Sequence, residues 1–150
     1  MRSSARRSAT TLLARMFAAI DHVGVAVKSI DECLELYASF GLEASHREVV
    51  EDQGVEAALL DVGGSHVELL APLSDDSPVG KFLGKKGSGL HHVAYRVEDI
   101  NQTLADLNDE GVRMIDEVAR RGILNSMVAF VHPSATGGVL TELVQLAEDH

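Results

Sequence analysis

The feature that most constrains this chain is an internal repeat. Asp21-His22-Val23-Gly24-Val25-Ala26-Val27 returns as His91-His92-Val93-Ala94-Tyr95-Arg96-Val97, 70 residues later. The same offset carries Ser29-Ile30-Asp31 onto Asp99-Ile100-Asn101 and Gly41 onto Gly111. His66-Val67-Glu68-Leu69-Leu70 returns as Leu140-Thr141-Glu142-Leu143-Val144 at an offset of 74. Self-similarity at this scale means one supersecondary unit used twice. The copies span about 18–72 and 88–147, joined by the Pro- and Gly-containing stretch from Ser77 to Gly89.

Each copy predicts the same order of elements. An alternating β-branched run, Ile20 to Val27 or Leu90 to Val97, reads as a strand. A helix follows, opened by Ser29 with Glu32 or Asp99 with Gln102 as capping pairs. Ile30, Leu34 and Tyr37, like Ile100, Leu104 and Leu107, are spaced to form one apolar stripe, and Gly41 and Gly111 stand where the helices end. Cys33 lies on the first stripe and reads as core. Three strands then close each copy, at about 46–50, 55–62 and 65–71, and at about 113–119, 125–131 and 138–145. A further short helix is expected from Pro78 to Lys86, with proline in its first turn. The fold class is therefore α+β, two tandem βαβββ modules.

Charge divides the chain in two. Residues 1–15 contain four arginines, several serines and no acid, the composition of a mitochondrial targeting segment or a disordered basic extension. The expected folded domain is 16–150. Without those arginines it holds 9 basic and 23 acidic residues, net −14. Such acidity argues against nucleic acid and anionic membrane surfaces as partners. No apolar run approaches the roughly 18 residues of a membrane-spanning helix. A single cysteine excludes an intrachain disulfide. A bacterial chain of this kind is expected in the cytoplasm, and a mitochondrial one in the matrix.

The repeat also duplicates chemistry. Side chains alternate across a strand, so His22 shares a face with Gly24 and Ala26, and His92 shares one with Ala94 and Arg96. Glu68 and Glu142 sit inside otherwise apolar strands, where an unpaired carboxylate is costly to bury. Two imidazoles and two carboxylates, His22, Glu68, His92 and Glu142, suit a divalent ion of borderline hardness such as Co2+, Ni2+, Mn2+, Fe2+ or Zn2+. Four protein ligands on a six-coordinate ion leave two positions for substrate oxygens.

These residues, with Asp52-Gln53-Gly54-Val55, Glu68-Leu69-Leu70-Ala71-Pro72-Leu73, Asp76 to Leu83, Gly89-Leu90-His91-His92-Val93-Ala94, and His132-Pro133 followed by Gly138 to Leu143, resemble the methylmalonyl-CoA epimerase family of the glyoxalase-like, or vicinal oxygen chelate, superfamily. The resemblance spans about 16–147. It implies a cup-shaped sheet holding the metal, and an activity interconverting (R)- and (S)-methylmalonyl-CoA by removing and returning the C2 proton through a metal-stabilised enolate. It gives Glu142 the second role of a base and implies a CoA thioester partner and a homodimer. Some members carry a glutamate base three residues beyond the glycine of the Gln-Gly-Val motif, where this chain has Ala57. Glu56, Gln53 through a water, or a water alone is expected to replace it. Gln53 and Ser126 are the expected substrate contacts, Arg96 is expected either to meet the substrate carboxylate or to neutralise a buried acid, and Lys81, Lys85, Lys86, Arg120 and Arg121 are candidates for the CoA phosphates. A glutathione-dependent lyase of the glyoxalase I type would use the same four ligands, and a non-catalytic binder could share the fold.

Overall fold

The computed structural model describes residues 16–148; the basic segment 1–15 lies outside them. The helices begin where the sequence offers caps. The Ser29 hydroxyl accepts the Glu32 N–H at the start of α1 (Ile30–Ala38). Ser77 accepts from Gly80 ahead of α2 (Pro78–Lys86), with Pro78 in the first turn. Asp99 accepts from Gln102 ahead of α3 (Ile100–Asp109). Gly41 and Gly111 adopt φ of 80° and 75°, the left-handed turn that releases the chain from α1 and α3.

Eight strands form one continuous curled sheet in the order β2-β3-β4-β1-β5-β8-β7-β6. The first module supplies β1 (Ala19–Ala26), β2 (Ala44–Val50), β3 (Val55–Val62) and β4 (Ser65–Pro72). The second supplies β5 (Gly89–Arg96), β6 (Arg120–Arg121), β7 (Met127–Val131) and β8 (Thr141–Gln145). β1 runs parallel to β4, and β5 runs parallel to β8. The modules meet where β1 and β5 pair antiparallel. Among the described residues, no helix is long and apolar enough to cross a membrane.

The helices cover the outer face of the sheet. α1 packs through Ile30, Cys33, Leu34 and Tyr37 on Ala58, Leu60 and Leu69. α3 packs through Ile100 and Leu104 on Ala129, Val131 and Leu143. Leu60, Leu69 and Leu143 are wholly buried, each worth about 1.5–3 kcal/mol of burial. α2 closes one end of the inner face, setting Val79 against Val50, Val55, Ala57 and Leu70.

One expected strand is largely missing. Residues 113–119 form only an isolated bridge, Met114 to Val131, and pairing resumes at the two-residue β6. Asp116 explains part of the interruption: its carboxylate accepts the Phe130 N–H, taking the place of a backbone partner in the ladder.

Candidate metal centre

The sheet register brings the four ligand candidates together. On β1 and β5, Gly24 lies opposite His92, and His22 lies opposite Ala94. On the flanking strands, Gly24 is level with Glu68 and Ala94 is level with Glu142. The two modules thus contribute one imidazole and one carboxylate each, related by an approximate twofold axis between β1 and β5. All four residues are at most 6% exposed.

The donor atoms converge. His22 Nε2 lies 3.0 Å from His92 Nε2, 3.4 Å from Glu68 Oε1 and 3.0 Å from Glu142 Oε1. His92 Nε2 lies 3.6 Å from Glu68 Oε1 and 3.1 Å from Glu142 Oε1. One ligand atom from each residue falls within 4.8 Å of the other three. Glu142 Oε1 is buried and, despite its two imidazole neighbours, receives no well-directed hydrogen bond. Such an orphaned acceptor is costly. The nitrogen and oxygen donors suit a divalent cation, and Gly24 leaves the space that the His92 ring occupies. A Cβ at position 24 would fall 2.2 Å from His92 Cε1.

Two β-bulges orient the imidazoles. Asp21 is the extra residue between Ile20 and His22 on β1, and His91 the extra residue beside His92 on β5. Each touches the Nδ1 of the ligand that follows it: Asp21 Oδ2 at 2.6 Å from His22, and His91 Nδ1 at 2.9 Å from His92. An ionised carboxylate only accepts, so His22 Nδ1–H donates and its Nε2 lone pair can face the cluster. Arg96 Nε donates to the other Asp21 oxygen at 2.7 Å, and its Nη2 to the Gly64 carbonyl. Phe82 of α2 meets the His91 ring edge-on.

Electrostatics describe a cavity that calls for positive charge. Burial disfavours a charged His22, yet Glu68, Asp21 and Glu142 push its pKa up to about 12. Burial alone would raise the Glu142 carboxyl, but His22 and His92 hold it down at about 2. Asp21, burial notwithstanding, is lowered by His22 and Arg96. His91, desolvated and beside His92, is lowered to about 4 and is neutral near pH 7.

A narrow cleft with a cavity volume of about 60 Å3, open to solvent, leads to the cluster. His22, Glu68 and Glu142 line its floor. Gln53, Val55, Ala57 and Leu59 form one wall, and Gly122, Ile123, Leu124 and Ser126 another. Ser126 is 3% exposed, and its hydroxyl has no hydrogen-bond partner in the protein. Gln53 and Ser126, the expected substrate contacts, thus both line the cleft.

Glu56 and Arg96 do not. Glu56 lies on the opposite face of β3 from Ala57, and Arg47 holds its carboxylate at 3.2 Å. A one-residue step along a strand reverses the side chain. Arg96 is occupied by Asp21 and Gly64, so it neutralises a buried acid rather than facing the cleft. Arg120 and Arg121 likewise reach the Asp52 carbonyl and the Asn125 side chain. Sequence reasoning missed Asp21 and His91 as partners of the ligands, because adjacent strand residues ordinarily point apart and only a bulge brings them to one side.

Residues 21–130 match the profile of the glyoxalase/bleomycin resistance protein/dioxygenase superfamily. The chain belongs to this superfamily. Over 127 residues it is 42% identical to the uncharacterised protein YqjC of Bacillus subtilis, covering 84% of this chain and 91% of that one. It is 38% identical to the mitochondrial methylmalonyl-CoA epimerase of Bos taurus, over 84% of this chain and 73% of that protein. The Streptomyces coelicolor methylmalonyl-CoA epimerase variant solved with 2-nitronate-propionyl-CoA superposes with a TM-score of 0.84 at 43% identity, over 87% of this chain and 96% of that one. Its membership of the glyoxalase superfamily accounts for the duplicated module and the curled eight-stranded sheet.

Proposed function

We propose that this chain is a metal-dependent methylmalonyl-CoA epimerase. The observation that carries the reading is the buried His22–Glu68–His92–Glu142 cluster at the floor of an open cleft, in a chain related to epimerases over most of its length. The four residues would hold the ion, with Co2+ the first choice and Ni2+, Mn2+, Zn2+ or Fe2+ compatible with the same donors. When bound, a divalent ion supplies Lewis-acid polarisation of the thioester and carboxylate oxygens.

The chain's own residues then handle the proton. Epimerisation breaks the C2–H bond on one face and forms a new one on the other. Glu142 is the carboxylate we assign to one face, since it lines the cleft floor and is ionised in the resting cluster. The opposite face belongs to a water ordered by Gln53, because Glu56 is turned away toward Arg47. The free Ser126 hydroxyl is assigned to a substrate oxygen. The apolar walls at Val55, Ala57, Leu59 and Ile123 exclude bulk water from the reacting carbon.

Deuterium wash-in from heavy water at C2 of methylmalonyl-CoA tests the proposal. Exchange is expected with Co2+-loaded protein and not after the metal is stripped. No exchange in the loaded protein would sink the epimerase reading. Turnover of a glutathione hemithioacetal in its place would select the lyase chemistry instead.

A further inference from the structure

The curled sheet has two edges, β2 and β6, and a carboxylate buckles them together. Glu48 lies on edge strand β2 directly across from Ala57, so its side chain rises from the face that lines the cleft. Its Oε1 accepts the Leu124 N–H at 3.0 Å, from the loop that follows the opposite edge strand. A second link between the same edges runs from Arg120 Nη1 to the Asp52 carbonyl at 3.4 Å.

The loop it holds is strained. Leu124 adopts φ 55°, ψ 35°, and Asn125 follows at φ 58°. Left-handed backbone suits glycine and asparagine but is unfavourable for leucine, and it persists only where the surroundings enforce it. Ile123 and Leu124 line the cleft, and Ser126 ends the same loop. His46 Nε2, at 2.9 Å, engages the same Glu48 oxygen from along β2.

The geometry points to Glu48 as a positioning and specificity residue: by accepting the Leu124 N–H, it fixes the Ile123–Ser126 wall and so limits the C2 substituent of the thioester substrate. The inference rests on the proposed epimerase reading. Its physical basis is that C2 carries one apolar group, and the apolar cleft surface able to meet that group includes Ile123 and Leu124. The hydrogen bonds from His46 and Leu124 also lower the Glu48 pKa, keeping it an ionised acceptor.

The test compares Glu48→Gln and Glu48→Ala in the full-length, metal-loaded protein. Two readouts are taken: amide hydrogen exchange across residues 122–126, and kcat and KM for methylmalonyl-CoA and for its homologue with one more methylene at C2. Gln keeps a side-chain oxygen that can accept the Leu124 N–H, so Glu48→Gln should stay within about twofold of the parent. Glu48→Ala should speed amide exchange in the loop and raise KM about fivefold, the weight of one ordinary hydrogen bond that substrate binding must then make up by ordering the wall. It should also relax discrimination against the larger thioester while changing kcat less. Unchanged loop exchange and selectivity in Glu48→Ala would overturn the proposal. So would an equal collapse of kcat in both variants, which would mark Glu48 as a proton carrier. If the parent exchanges neither thioester, the epimerase reading fails, while loop exchange still decides whether Glu48 is the clasp.

Discussion

Gly24→Ala isolates the contact between the two modules. Gly24 has no left-handed φ, so alanine fits its backbone and only the added methyl matters. That methyl would lie 2.2 Å from His92 Cε1, 2.4 Å from Nδ1 and 2.7 Å from Nε2. Non-bonded carbons rest about 3.5–4.0 Å apart, so the ring must retreat at least about 1.3 Å. It has little room to do so, with Phe130 and His91 packed edge-on at centroid distances of 5.6 Å and 5.2 Å. Overpacking of this kind costs about 1–3 kcal/mol. In a chain of this size it should lower the metal-free Tm by roughly 3–10 °C. The effect on the ion is larger, because ligand distances tolerate only about 0.2 Å. Losing His92 as a ligand should weaken metal affinity by at least about 100-fold, since disturbing an outer partner alone costs about 10–100-fold. Calorimetric titration with Co2+, alongside thermal melts with and without metal, measures both effects. A Gly24→Ala protein with parental affinity and parental metal-free Tm would refute the argument that His92 lodges over Gly24.

Three further outcomes follow from the same geometry. Asp21→Asn should weaken Co2+ binding about 10–100-fold in direct titration, because His22 loses the ionised acceptor that sets its tautomer. Raising the pH from about 6.5 should destabilise the metal-free protein: folded His22 keeps its proton toward pKa 12 while the unfolded chain releases it near 6.5. Metal should abolish that decline, and melts with equal pH slopes in both forms would contradict it. Glu56→Gln should leave C2 exchange within about twofold of the parent, as expected of a side chain engaged with Arg47 outside the cleft.

The parts legible in the sequence were those written in local pattern, most of them twice. The helix caps at Ser29 and Asp99, the helix from Pro78 to Lys86 and the strand faces of the four candidate ligands all follow from local pattern. The carboxylates stood out because an acid in a buried strand demands a partner. What escaped was set by register. The bulges at Asp21 and His91 have no local signature, and they decide what orients His22 and His92. The failed strand at 113–119 alternates plausibly, yet the Asp116 carboxylate intercepts the Phe130 N–H and breaks the ladder. For Arg96 the sequence offered a buried acid or the substrate carboxylate, and the β1 bulge decides for the acid by exposing Asp21.

The paired bulges have an implication for origin. Each module carries half of the candidate ligand set and half of the residues that orient it, at equivalent positions. One such module, joined to an identical copy along its first strand, would encircle an ion with true twofold symmetry. A thioester approaching that ion has no such symmetry. Fusing the copies into one polypeptide frees the halves to diverge. Here they have done so at two matched pairs, Gly24 against Ala94 and Asp21 against His91, and in a clasping Glu48 found in one half only. A pocket that sets different groups against the two faces of one carbon needs that inequality, and duplication followed by drift is a short route to it.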